Sequence, residues 1–477
     1  MKSVPCFIMF ISLLACSDPS GNGMSDNPVG LSYSTIANQS VTEPSDSTSS
    51  NGSDSLVVVD LAGSSFRLVN TSGGDIIGLN KNYIVLADWK MKAWNGSNPD
   101  SLVDITGPEY IDLLEVRKRD IYTWAFDVSC GQTLITRAWT HGPHVYGKSH
   151  FVAFSRTPSV KKPHEEGGFY HEDIHFSGPV PKECQDQTLR VYNQINTVDE
   201  HGFGADVEGG GMRLINNVFQ VESNRFFTAT ELEIVYHPVA PDTATAIQEA
   251  IRFDAILEDR RGWTDRIAAA MPVTGLRWSI GDPIIVPTRP EGHDPQDEAL
   301  DIMLDRYGWN DIQRYESRTF RVVHIGLIST DVGRDRYKTN QVGGKAFLGG
   351  GISTVYYDPW FSNTRQGYGT GYGTDYSTLI HELGHNFGLI HTQDDPNYPI
   401  YPSVELDMDG YRYDHYGLVD FIDRRFHDTV MSYSVRPRWV SNYTWEGIVS
   451  FMYPSTPGVN ARVVAGHGDI TTWDHSH

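Results

Sequence analysis

The chain has 477 residues, with 60 acidic side chains against 38 Lys and Arg and a formal charge of −22. No dense run of Lys or Arg interrupts that balance, so a nucleic-acid partner, which needs cations set against phosphates, is not expected. The length suffices for two or three domains, each able to bury its own core.

Met1-Lys2 supplies one positive charge, and Phe7 to Leu14 is a mostly apolar run too short to span a bilayer. Leu13-Leu14-Ala15-Cys16 resembles a bacterial lipobox, which implies that Cys16 is diacylated and becomes the first residue after cleavage. An ordinary cleaved signal is the other reading. Asp18 stands third rather than second after cleavage, which favours an outer-membrane or cell-surface lipoprotein over retention at the inner membrane; a secreted protein is the alternative. Membrane contact then runs only through acyl chains, worth about 0.8 kcal/mol per buried CH₂. Residues 17–55 are rich in Ser, Asn, Asp and Gly and poor in apolar side chains, the composition of a flexible tether after a signal at 1–16.

From 56 to 240 the pattern is strand-like. Leu56-Val57-Val58-Val59, Tyr83-Ile84-Val85-Leu86-Ala87, Ile121-Tyr122-Thr123-Trp124-Ala125-Phe126, Phe151-Val152-Ala153-Phe154, Leu214-Ile215-Asn216-Asn217-Val218-Phe219 and Leu232-Glu233-Ile234-Val235-Tyr236 are short β-branched or aromatic runs separated by turn residues. One or two β-sandwich modules are expected, serving to bind substrate or merely to pack. Trp89, Trp94 and Trp139 suit either a glycan platform or a core. With Cys6 in the signal and Cys16 lipidated, Cys130 and Cys184 remain to pair in an oxidising compartment. Cys130 as a thiol blocking a metal is a weaker reading, because the rest of a switch sequence is missing. His171-Glu172-Asp173-Ile174-His175 has the spacing of a metal-binding helix, but Gly167-Gly168 before it and Ser177-Gly178-Pro179 after it leave no room for one.

Residues 241–274 have helical composition and are expected to connect to a C-terminal domain at 275–477. Within it, Asp294-Pro295 opens a helix running through Leu304. Arg321 to Ile328 reads as a buried strand. His381-Glu382-Leu383-Gly384-His385-Asn386-Phe387-Gly388-Leu389-Ile390-His391 follows. On a helix His381 and His385 project from one face and can grip one ion, with Glu382 reaching a water beside it. Thr374 or Asp375 can cap that helix. Gly388 lets the chain turn back and brings in His391. Three nitrogen ligands with one open position is the layout of a catalytic zinc site, with Zn–N distances of about 2.0–2.1 Å. Glu405 is a rival third ligand by spacing, but Pro402 and Gly410 bracket it too closely for a helix. Asp407, Asp409 and Asp414 could hold Ca²⁺ without a full EF-hand loop, although a solvated acidic loop explains them as well. Ser441 can cap a final helix carrying Trp445, Ile448 and Met452.

The extended histidine motif followed by His427-Asp428-Thr429-Val430-Met431-Ser432-Tyr433 resembles the metzincin clan of zinc endopeptidases. The resemblance covers only the C-terminal part of the chain. It implies an α+β catalytic domain with a mixed twisted sheet, an active-site helix, a Met-turn and a C-terminal helix, preceded here by the mostly β, sandwich-like region. It implies that Met431 floors the metal and that Tyr433 can ligate zinc and swing aside. It also implies that a glycine-flanked edge strand, here Ala346-Phe347-Leu348-Gly349, lies antiparallel to an extended substrate. Thr392 after the third histidine fits none of the Pro, Glu or Asp found there in serralysins, astacins and adamalysins. Arg438-Trp439-Val440-Ser441-Asn442-Tyr443-Thr444 is similar to secreted or lipid-anchored bacterial metzincins of the mucin-cleaving, ToxR-regulated-lipoprotein type. The expected activity is hydrolysis of peptide bonds in proteins, glycoproteins included, with Glu382 as general base. The alternative is a surface adhesin or glycan-binding lipoprotein with an accessory protease fold.

Overall fold

The computed structural model of the chain describes residues 57–88, 92–94, 103–104, 121–140, 160–163, 169–177, 179–185, 187–198, 204–205, 212–221, 224–258, 263–308, 320–339, 343–357, 376–413, 419–434, 436–454 and 456. Cys16, the 17–55 tether, the expected strand at 151–154 and the capping candidates Thr374 and Asp375 lie outside the described residues. Among those described, no helix is long and apolar enough to cross a membrane.

The N-terminal part is built from strands. β1 (Ser65–Val69) and β5 (Phe169–Ser177) both run antiparallel to β3 (Tyr83–Asp88). β4 (Ile121–Cys130) runs antiparallel to β6 (Leu189–Val198), and β2 (Ile76–Leu79) pairs in parallel with β7 (Arg225–Thr228). Alternation decides which residues point inward. Phe66 and Leu68 of β1 meet Ile77, Leu79, Tyr83, Val85, Val128, Leu189 and Val191 in one apolar cluster. Cys130 and Cys184 form a disulfide inside that cluster, with Cα atoms 5.7 Å apart.

Two expectations for this part are settled by backbone geometry. The second His-Glu-x-x-His stretch lies in β5, where a rise of about 3.3 Å per residue carries His171 and His175 roughly 13 Å apart. The run 214–219 is not one strand. Met212–Ile215 and Val218–Gln220 are separate, divided at Asn216, whose φ of 50° is the left-handed conformation that asparagine tolerates.

The C-terminal part centres on a sheet of β8 (Glu231–Ala240), β9 (Leu276–Ile280), β10 (Phe320–Ser329), β11 (Gly344–Ala346) and β12 (Ile352–Tyr357), in the order β9-β8-β10-β12-β11, with Ile284–Ile285 beside β8. β11 is antiparallel to β12 and the other pairings are parallel. The link from β8 to β9 carries α1 (Thr243–Glu258) and α2 (Trp263–Ala270), as a parallel crossover requires. α3 (Gln296–Tyr307) precedes β10, and Asp294 accepts the Gln296 N–H at its start. α4 (Tyr376–Asn386) and α5 (Asn442–Met452) complete the set.

A domain boundary at 275 therefore cuts through this sheet. β8, assigned by sequence to the accessory region, is one of its central strands, and the 241–274 connector is its first crossover. Ile234, Tyr236, Phe253 and Ile267 share an apolar cluster with Leu379 and Leu383 of α4 and Trp445 of α5. Ile76 of β2 and Phe227 of β7 enter the same cluster, so the accessory region is not a self-contained module.

Candidate active site

α4 is buried along its whole length, which fixes its rotation against the sheet. Its Leu379, Ile380 and Leu383 face the core. Asn386 Nδ2–H donates to the Ile352 carbonyl of β12 at 2.9 Å, and the Gly349 N–H donates to the His385 carbonyl at 2.8 Å. The His385 carbonyl at the helix end thus accepts from the turn after β11 as well as from the Gly388 N–H at 2.9 Å. The chain then leaves the helix at Gly388, whose φ is 79°.

That turn brings His391 over the first two histidines. The three Nε2 atoms of His381, His385 and His391 lie 3.1–3.2 Å from one another, and all three side chains are buried. His381 Nδ1–H donates to the Val430 carbonyl and His385 Nδ1–H to the Leu389 carbonyl, each at 2.7 Å. A carbonyl can only accept, so both rings carry their proton on Nδ1 and turn the Nε2 lone pair inward. The Asp394 carboxylate lies 3.5 Å from His391 Nδ1. Lone pairs converging at this distance repel unless a cation sits among them. Bonds of about 2.0–2.1 Å to a tetrahedral ion imply N···N edges of about 3.3–3.4 Å, close to the spacing seen. Among the described residues, this is the group of three His, Cys, Asp or Glu side chains able to hold an ion. Burial, reinforced by the other two imidazoles, holds the His381 pKa well below the ordinary imidazole range, which keeps its nitrogen free to ligate.

Glu382 is 1% exposed, and its Oε2 is buried without a hydrogen-bond partner. Burial pushes its pKa up to about 8, opposed by the Arg438 guanidinium. An orphaned carboxylate oxygen beside three converging nitrogens fits a site built for an ion and a water. Met431 is buried beneath α4, and a Cβ on Gly384 would overlap its sulfur, so the glycine lets the helix rest on the methionine. The Tyr433 ring is half exposed, 4.1 Å from the His391 ring and 5.9 Å from that of His381. Burial raises its hydroxyl pKa, so it stays a proton donor.

Other candidates sit elsewhere. Glu405 points to Arg436 at 3.3 Å and not to the histidines. Both Asp407 carboxylate oxygens accept N–H groups at the start of α5, from Asn442 and Tyr443 at 2.9 Å, which is a capping role. The expected substrate strand is shifted. Only Ala346 of the four residues belongs to β11, which spans Gly344–Ala346. Phe347 turns into a core cluster with Met303 and Tyr356, and Leu348-Gly349 form a turn in which Gly349 has φ 71°. Glycine at that φ is the physical reason the strand stops where it does.

Two contributors were not apparent in the sequence. Arg438 donates to Ser377 Oγ of α4 at 2.8 Å and to the Ser432 carbonyl at 3.1 Å, joining the helix to the methionine turn. Gly344 lies against the Glu382 side chain. A Cβ there would stand 2.6 Å from Glu382 Cγ and 2.7 Å from Oε1. The Gly343-Gly344 pair was the available signal.

Residues 276–392 match the family model described as metallo-peptidase family M12B, reprolysin-like. A solved zinc-dependent peptidase from Methanocorpusculum labreanum (strain Z) is similar at 16% identity, over 34% of this chain and 84% of that one, with a TM-score of 0.14; a likeness so slight carries no weight. No curated protein matches the chain. The family match ends just past His391 and takes in the whole histidine motif, and with the converging imidazoles it identifies the chain as a zinc metalloendopeptidase.

Proposed function

We propose that the protein is an exported endopeptidase, held at the outer membrane or cell surface through a lipid on Cys16, that cleaves proteins and glycoproteins. The observation that carries the catalytic part is the convergence of three imidazole nitrogens beside a buried, unpaired carboxylate oxygen. His381, His385 and His391 would hold the ion. Zinc bound there supplies Lewis-acid polarisation of water and of the scissile carbonyl. Glu382 accepts the proton of the attacking water and passes it to the departing amine. Tyr433, still protonated and with its ring 4.1 Å from that of His391, is the residue assigned to donate to the oxyanion. β11 offers an edge along which an extended substrate pairs antiparallel, with Gly344–Ala346 rather than 346–349 as the pairing strand.

The test uses the purified chain with casein and with a mucin, with and without a chelator. Glu382→Ala should keep its zinc and lose cleavage by a factor of at least about 10². His391→Ala should lose zinc, and Glu405→Ala should not. Chelator-resistant cleavage, or undiminished turnover in Glu382→Ala, would refute the mechanism. Cleavage of the mucin but not of the same protein stripped of its glycans would establish the glycoprotein preference.

A further inference from the structure

Thr71 belongs to the N-terminal part, yet it is fully buried against the peptidase. Its carbonyl accepts the Trp439 Nε1–H at 3.0 Å and the Tyr411 N–H at 2.8 Å. Its hydroxyl donates to the Ala269 carbonyl at the end of α2, at 2.6 Å. The turn around it is held from within. Asn70 Oδ1 accepts from the Ser72 N–H at 2.8 Å, Asn70 Nδ2–H donates to the Ile76 carbonyl at 2.9 Å, and Gly73 has φ 86°. A Cβ on Gly73 would overlap the Asp409 carbonyl, and one on Gly74 would overlap Asn442 Oδ1. The bare backbone of this turn is thus seated directly on the peptidase.

From Thr71 a short run of bonds leads to the metal site. Trp439, held by Thr71, accepts the Val430 N–H on its own carbonyl at 2.8 Å. The Val430 carbonyl in turn fixes His381 Nδ1 at 2.7 Å. Next along the chain, the Met431 carbonyl accepts the Thr392 N–H at 2.9 Å, beside His391. The limb carrying Met431 therefore orients the His381 imidazole and ties down the backbone next to His391, and the 70–74 turn holds that limb from behind. Ile76 and Phe227 lie in the same core as Leu379 and Leu383, the Phe227 ring lies tilted 4.8 Å from that of Tyr453, and Arg225 pairs with Glu446 of α5 at 3.0 Å.

We infer that the Asn70–Gly74 turn is a positioning element of the zinc site, so that the active enzyme keeps its N-terminal β region instead of shedding it as a pro-segment. The inference rests on the zinc peptidase reading given above. Two measurements on the full chain test it. Trp439→Phe keeps an aromatic ring in the core and removes the donor to Thr71, together with part of the indole's bulk. Zinc affinity, read by chelator competition, should fall about tenfold, the scale at which groups behind metal ligands act, with kcat reduced and KM nearly unchanged. A folded Trp439→Phe protein with unaltered zinc affinity and kcat overturns the inference. Should that variant fail to fold, the intact mass of the active wild-type fraction decides. The mass should include residues 70–81 and 225–228. An active species lacking the chain before Thr230 overturns the inference. If Trp439→Phe weakens zinc but the wild type cleaves no protein, the turn's positioning of the metal site stands and the peptidase reading falls.

Discussion

His381 and His385 each have two jobs, and both are set by what their Nδ1 meets. Two backbone carbonyls fix the tautomer, and the helical spacing fixes the direction. The spacing was legible in the sequence because an i,i+4 pair on a helix shares a face whatever surrounds it. The Val430 carbonyl was not, since it arrives from a segment 49 residues further on. Gly344 is a sharper case. Its missing side chain is the space in which Glu382 rests, and the Thr354 carbonyl stands 2.7 Å from the same Cβ position, leaving no room to yield. Gly344→Ala must therefore displace the Glu382 side chain, while no imidazole atom is among the three nearest the new methyl. Zinc content should stay at the wild-type level, and kcat should fall by roughly 10²-fold, the scale of a misplaced general base. Full activity in Gly344→Ala would show that Glu382 has another place to stand.

Elements were predicted where local signals agree and missed where tertiary packing decides. Ser441 accepts the Thr444 N–H at 3.0 Å, the capping geometry its position before an apolar run implies. Asp407 adds a second cap from outside that no local pattern could show. Ser441 is fully buried and also lies 3.3 Å from Thr429 Oγ1, on the strand that leads to the methionine turn. Ser441→Ala should therefore cost towards the upper end of the usual range for a lost cap, about 1–2 kcal/mol, read from chemical denaturation. A change below a few tenths would mean that Asp407 alone suffices. At the sheet edge, the family resemblance implied a strand over 346–349, where the chain in fact turns after Ala346. Phe347 is apolar because it fills a core pocket, not because it faces a partner strand.

At the scale of the whole molecule, the sequence divided what the structure joins. Composition changes near residue 240, but the peptidase sheet begins at β8, and Thr71, Ile76 and Phe227 share packing or hydrogen bonds with residues beyond that line. Composition reports which elements form; it does not report which of them pack together. Lys81 shows the physical cost of the join. Placed just before β3, it is buried between the two parts, donates to the Ala268 carbonyl at 2.8 Å and lies 3.4 Å from the Tyr413 hydroxyl. Burial lowers its pKa from 10.5 to about 7. Between those values the unfolded chain holds a proton that the folded chain has released, so raising the pH favours the folded state. Below about pH 7 both states are charged and the folded state carries the full penalty, on the order of several kcal/mol; above about 10.5 both are neutral and the penalty is gone. Unfolding free energy should thus climb from pH 7 towards pH 9 with a slope approaching about 1.4 kcal/mol per unit. Lys81→Met removes the titrating group while keeping the stem's bulk, and the difference between variant and parent cancels every other titration. Urea unfolding at pH 7, 8 and 9 should show the parent gaining on the variant across the series. Parallel lines for the two proteins would mean that Lys81 keeps its charge in the fold, and that its two oxygen neighbours solvate it as well as water does.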